Sequence, residues 1–174
     1  MMNNIVLANI FRFLGLILLQ GLVFKNVGEG WKEFPYLFVI IYPLAIMLLP
    51  LRTPRVLTIV LGFVAGLMVD GFYTSPGIHA SAAVFMAFCR PFVLKALEPR
   101  NGYNVNYSPT AARWGIRWFL QYAAIMLTLY LLFYFSVEAF TFVYLGSILL
   151  KTVVSLITSM IFIVIYQVIF NPVD

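Results

Sequence analysis

Charge is scarce in this sequence. Of its 174 residues, 10% are Asp, Glu, Lys or Arg, against about 25% in a soluble globular protein. Cysteine is nearly absent: Cys89 stands alone, so no intrachain disulfide can form and a disulfide-stapled secreted domain is excluded. One cysteine and one histidine, His79, also exclude a Cys/His zinc site within the chain. Acidic side chains number 6 against 11 basic ones, for a net charge of +5. The basic residues sit between apolar runs, and no basic patch with interleaved aromatics stands apart from them. The excess therefore reads as membrane-topology charge, with no nucleic-acid partner. Catalytic constellations are lacking too. There is no nucleophile elbow, no phosphate-cradling glycine loop and no second acid near Asp70 in the sequence. The expectation is a protein that is not an enzyme and holds no cofactor or metal.

Apolar residues fill the space that charge leaves. They make up 63% of the chain, and the mean hydropathy is +1.00. A compact domain of this length still exposes roughly 30% of its extended-chain surface, and here that surface must face lipid. A membrane-spanning helix takes about 20 mostly apolar residues. Six stretches fit, at about 4–24, 34–51, 54–73, 78–96, 114–135 and 142–170. The breakers between them are polar or rich in Gly and Pro. The predicted fold is an all-α membrane protein, one integral domain of six transmembrane helices over 1–174. The first stretch lacks a basic region ahead of its apolar run, since Arg12 is the first basic residue, and no small-x-small site follows. It reads as a retained helix rather than a signal peptide.

Orientation follows from the loops. The second holds Arg52 and Arg55; the fourth and its flanks hold Arg90, Lys95, Arg100, Arg113 and Arg117 against Glu98 alone. The first balances Lys25 and Lys32 against Glu29 and Glu33, the third has no charge, and the fifth has only Glu138. Even loops are basic and odd loops are not, which places even loops and both termini in the cytoplasm. Trp31, Trp114 and Trp118 fall near the expected interfaces and read as belt anchors.

Ionisable groups inside a membrane are costly, so each is a functional candidate. Gly62, Gly66 and Asp70 lie at i+4 steps on one helix face, and the GxxxG pair lets a neighbouring backbone approach closely. Ser147, Lys151, Ser155 and Ser159 repeat the same step on the sixth helix and predict a protein-facing seam. Asp70 and Lys151 are expected in one layer toward the external face. Either they pair, offsetting each other's desolvation, or Asp70 reaches headgroup water while Lys151 snorkels. His79 reads as a helix-start hydrogen-bonding residue near Asp70, or alternatively as a proton carrier. Arg12, Arg90 and Lys95 read as headgroup contacts with anionic lipid, and Pro91 is expected to kink the fourth helix.

These landmarks now carry a resemblance. Thr53-Pro54-Arg55, then Gly62-Phe63-Val64-Ala65-Gly66-Leu67-Met68-Val69-Asp70-Gly71-Phe72, then Ser75-Pro76-Gly77-Ile78-His79-Ala80 and Arg90-Pro91-Phe92-Val93-Leu94 together resemble the rod-shape-determining protein MreD family of bacterial inner membranes. The resemblance implies a multi-pass, non-catalytic scaffold of the elongasome, involved in peptidoglycan synthesis and cell shape. Its implied partners are the transmembrane helix of MreC and, indirectly, MreB and the cell-wall synthases. It also implies the fold of the six-helix substrate-binding subunits of energy-coupling-factor vitamin transporters, and hence a concave external side near Asp70 and His79. That second likeness keeps a vitamin-type transporter subunit as the rival function. The motif positions carried over are Gly62, Gly66, Asp70, Pro76, Gly77 and His79, for helix packing or partner contact.

Overall fold

The computed structural model describes residues 2–26, 36–100, 102–140 and 143–170. Among these the secondary structure is entirely helical. Helix α1 (Met2–Leu19) runs directly into a π-helical turn, Gln20–Phe24. A four-residue helix α2 (Leu44–Met47) follows, then α3 (Arg55–Tyr73), α4 (Ile78–Ala96), the single turn α5 (Ala111–Trp114), α6 (Ile116–Ala139) and α7 (Leu145–Phe170). Helices α3, α4, α6 and α7 are long and apolar enough to cross a membrane, and Asn9–Phe24 forms a shorter apolar helix.

The exterior is as oily as the composition requires. On α3, Thr58, Gly62, Ala65, Gly66, Val69 and Asp70 are buried. Val56, Val60, Phe63, Val64 and Leu67 on its other face are exposed. The same division holds on α7, where Thr152, Ser155, Ser159 and Ile163 face inward while Leu149, Val153, Ile157 and Ile161 face out. Small or hydroxyl residues turn inward and large aliphatics turn outward, the arrangement expected when packing rather than water exclusion holds helices together. Helix α6 is the core helix: Phe119, Tyr122, Met126, Leu127, Tyr130, Leu131 and Phe135 are fully buried.

One of the six expected helices is not a helix. The stretch predicted as helical over 34–51 is irregular from 37 to 43, makes one turn at α2, and is irregular again to 54. Three local facts explain it. Pro43 has no N–H and disfavours a helical residue before it. Val39, Ile40 and Ile41 are β-branched. Pro50 ends any helix that starts at 44. Every residue from Val39 to Leu49 is nonetheless buried.

The other departures are smaller. Helix α6 continues through Ser136 and Glu138, expected in a loop, to Ala139. Ser136 Oγ donates to the Leu132 carbonyl at 2.6 Å, so its hydroxyl is satisfied within the helix. Helix α4, by contrast, spans Ile78–Ala96 as expected, with Pro91 inside it. The first loop beyond Asn26, with Glu29, Trp31, Lys32 and Glu33, the first residues of the second stretch and the start of the sixth lie outside the described residues.

The basic even loops meet at one end. Leu51 and Arg52 donate backbone N–H bonds to Tyr107 and Val105 at 3.1 and 2.9 Å. Tyr103 and Trp118 donate to the Leu94 and Leu97 carbonyls, both at 2.9 Å, and so cap the C-terminus of α4. Trp118 is thereby a capping residue, stacked on Tyr122, rather than only a belt anchor. Partial burial holds the Tyr103 phenol up at about 12, so it stays a donor at any physiological pH. At the other end, Lys25, Tyr73, Ser75 and Glu138 line one cavity.

Candidate functional site

Backbone buried in an apolar interior without helical bonds needs other partners. Side chains from the π-helical turn, α4, α6 and α7 supply them. Gln20, in the π-helical turn, accepts from the Ile41 N–H at 2.8 Å and lies 3.4 Å from that of Tyr42. Its amide nitrogen donates to the Val39 carbonyl at 2.9 Å and to Tyr73 Oη at 2.7 Å. Ser159 Oγ accepts from the Ile40 N–H at 2.8 Å. Thr158 Oγ1 lies 3.1 Å from the Phe38 carbonyl, and Ser155 Oγ 3.5 Å from that of Tyr36. At the end of α2, Tyr122 Oη donates to the Met47 carbonyl at 3.1 Å. Arg90 donates to the Leu49 carbonyl and to Tyr122 Oη. A cation at the C-terminal end of α2 is also favoured by the orphan carbonyls there.

Arg90 is 4% exposed. The expectation of a headgroup contact is therefore corrected: the broken segment needs its guanidinium inside. Arg12 pairs with Asn9 Oδ1 at 3.0 Å and is half-buried.

Asp70 does not pair with Lys151, but it does meet His79, which is the helix-start hydrogen-bonding residue expected beside it. Its carboxylate caps the first turn of α4. It accepts from the N–H groups of His79 at 2.9 Å, Ala80 at 3.0 Å and Gly77 at 3.1 Å, and from Ser75 Oγ at 3.0 Å. An anion suits the positive end of a helix. Gly77 takes φ +85°, which only glycine adopts at low cost, and this turns its N–H onto Asp70. Pro76-Gly77 is thus the geometry that wraps the chain around one carboxylate. Lys151 instead pairs with Glu138 at 3.0 Å, with both side chains about a quarter to a third exposed. We expect Asp70→Ala to cost about 3 kcal/mol, the upper end for one hydrogen bond to a charged group at about 1.5–3, because the four bonds share a single carboxylate and do not add. Lys151→Ala should cost under about 1 kcal/mol, as for other exposed pairs. Unfolding of the two variants in lipid bicelles checks the ranking.

Gly62 and Gly66 are closed against α4. A Cβ on Gly66 would press on the Ala80 Cα, and lie 2.6 Å from the Ala80 nitrogen and 2.7 Å from the His79 carbonyl. One on Gly62 would lie 3.1 Å from the Ala83 carbonyl and 3.2 Å from the Ala87 Cβ. This face is an internal seam and is unavailable to a partner. Of the expected seam on α7, Ser155 and Ser159 are buried, Lys151 is at the edge, and Ser147 is exposed near the start of the helix. The proposed run of four therefore holds for its inner half, where the broken segment lies against it.

His79 is fully buried. Its Nδ1 lies 2.7 Å from Tyr130 Oη, Tyr130 Oη lies 2.9 Å from Tyr42 Oη, and Tyr42 Oη donates to the His79 carbonyl at 3.1 Å. The circuit ties α4, α6 and the broken segment together. Sequence reasoning missed Gln20, Tyr42, Tyr122 and Tyr130. The signal is a lone amide, Gln20, inside an apolar run, and three tyrosines on one face of α6, Tyr122, Tyr130 and Tyr134, at steps of eight and four. Compared with family models, curated proteins and solved structures, the chain matches none.

Proposed function

We propose that this chain is a non-catalytic scaffold of the MreD type in a bacterial inner membrane, docking the single transmembrane helix of MreC and helping organise lateral peptidoglycan synthesis. In this reading the chain crosses the membrane six times, the second crossing being the broken segment, with both termini cytoplasmic. The observation that carries the proposal is how the interior polar groups are spent. Asp70, Gln20, Arg90 and Ser159 are each bonded to backbone of this chain, which is the work of a rigid support. The motif behind the resemblance also forms one unit, Gly62 and Gly66 seating α4 and Asp70 capping it.

The docking surface is then elsewhere than on Gly62 and Gly66. Helix α1 presents Leu7, Phe11, Leu14 and Leu18 outward, and the π-helical turn adds Leu22. Gly15 lies within that run, exposed, and a Cβ there would meet nothing within 4 Å. A partner helix gains most where a small residue lets backbones approach. The test is affinity purification from native membranes. MreC should co-purify, and Gly15→Leu should lower its yield at least about threefold without loss of folded protein. Recovery of a transport ATPase, with no MreC, would favour the vitamin-transporter reading instead.

A further inference from the structure

The hydrogen-bond circuit at His79 fixes more than packing. Tyr42 has one proton, and a carbonyl only accepts, so that proton goes to the His79 carbonyl. Tyr130 must then donate to Tyr42. His79 Nδ1 must in turn carry the proton and donate to Tyr130. For a neutral imidazole this is the one assignment in which all three contacts are hydrogen bonds. The opposite tautomer leaves one of them idle and buries an N–H donor. In the favoured tautomer Nε2 is a lone pair, and it is buried with no partner among the described residues. His79 lines a cavity of about 270 Å³ at the acidic-neutral end of the bundle. Four aromatic rings, Phe24, Phe38, Tyr73 and Tyr134, share that lining. The imidazole packs against both Tyr73 and Tyr134, with ring centroids at 4.8 and 4.7 Å.

We infer that this cavity is a binding site for a small, flat, aromatic molecule bearing an N–H or O–H that donates to His79 Nε2. The four rings supply the apolar walls, as in most ligand pockets, where a few polar groups fix orientation. Nε2 is enclosed beside the Tyr73 and Tyr134 rings in the free protein, so the proposed contact requires those rings to move when the ligand binds. A buried acceptor without a partner penalises the free protein, and a ligand donor removes that penalty. A matched molecule without a donor does not. The inference is independent of the scaffold reading and requires neither transport nor catalysis.

Because the chain has one histidine, its imidazole can be watched alone. The experiment is ¹⁵N NMR of histidine-labelled full-length protein in lipid nanodiscs, prepared with a histidine-free tag. Indole and phenol are titrated in, and compared with N-methylindole and anisole. The free protein should show a protonated Nδ1 and an unprotonated Nε2. Indole and phenol should each shift Nε2 saturably, at least tenfold more tightly than their methylated twins. A protonated Nε2 in the free protein, equal affinities within each pair, or no saturable shift with either donor would overturn the inference. In Tyr130→Phe the circuit is cut and the tautomer is released, so the donor preference should fall below about threefold; a preference unchanged in that variant also contradicts it.

Discussion

Gln20→Leu is expected to lower stability by about 3–5 kcal/mol, the largest effect of any conservative apolar substitution in the bundle. Gln20 and Leu are similar in size, so packing changes little. What disappears is every bond made by one amide. The Ile41 N–H and the Val39 carbonyl lose their partner, and each is a buried backbone group with no water to turn to. Leaving such a group unmade costs about 1–3 kcal/mol. Tyr73 Oη loses a donor as well. Gln20→Glu is the informative companion: it keeps an acceptor for Ile41 but cannot donate to Val39 unless protonated. It should be intermediate at low pH and poor at neutral pH. Reversible unfolding in mixed micelles, followed by tryptophan fluorescence, measures both.

Gly66→Ala is the second large effect, and it adds a single carbon. The new Cβ would meet the backbone of Ala80 and His79, which cannot rotate away as a side chain would. Helices α3 and α4 must separate, and the Asp70 cap one turn further on is pulled from its N–H groups. Overpacking costs about 1–3 kcal/mol, occasionally more, and this site belongs at the upper end, about 3 kcal/mol. Gly62→Ala meets atoms at 3.1–3.2 Å and should cost about 1 kcal/mol. Gly15→Ala has open space and should be neutral or slightly stabilising, since alanine is the better helix former. A thermal-shift series in one detergent reads the order Gly66, Gly62, Gly15.

Much of this architecture is written in hydropathy. Helices α3, α4 and α7 begin and end close to where apolar runs meet Pro, Gly or polar residues. The alternation of loop charge agrees with Leu51 and Arg52 bonding to the fourth loop at one end. The i+4 step of Gly62, Gly66 and Asp70 correctly puts them on one inward face. The second stretch departs from its hydropathy because a 20-residue window weighs oiliness and ignores Pro43. Hydropathy cannot distinguish a buried helix from buried irregular chain, and only the partners of its backbone reveal the difference.

Those partners are long-range, which is why the site was half legible. Gln20 and Ile41 are 21 positions apart, and Ser159 and Ile40 are 119 apart. No local pattern links them. Asp70 was singled out for its cost in lipid, and the assumption that such a charge seeks a counter-charge pointed to Lys151. Four hydrogen bonds to one helix start satisfy it instead. Arg90 was misplaced for the same reason: a basic residue near a basic loop looks like topology until its carbonyl partner is in view.

The conformation of residues 37–49 inside the bundle is the claim on which the rest depends. Backbone ¹³C chemical shifts of the full-length protein in lipid nanodiscs test it most directly. Non-helical shifts at 37–41 with a single helical turn at 44–47 are the predicted result. Continuous helical shifts from 37 through 49 would contradict it, because Gln20, Ser159, Tyr122 and Arg90 would then have no unpaired backbone to hold.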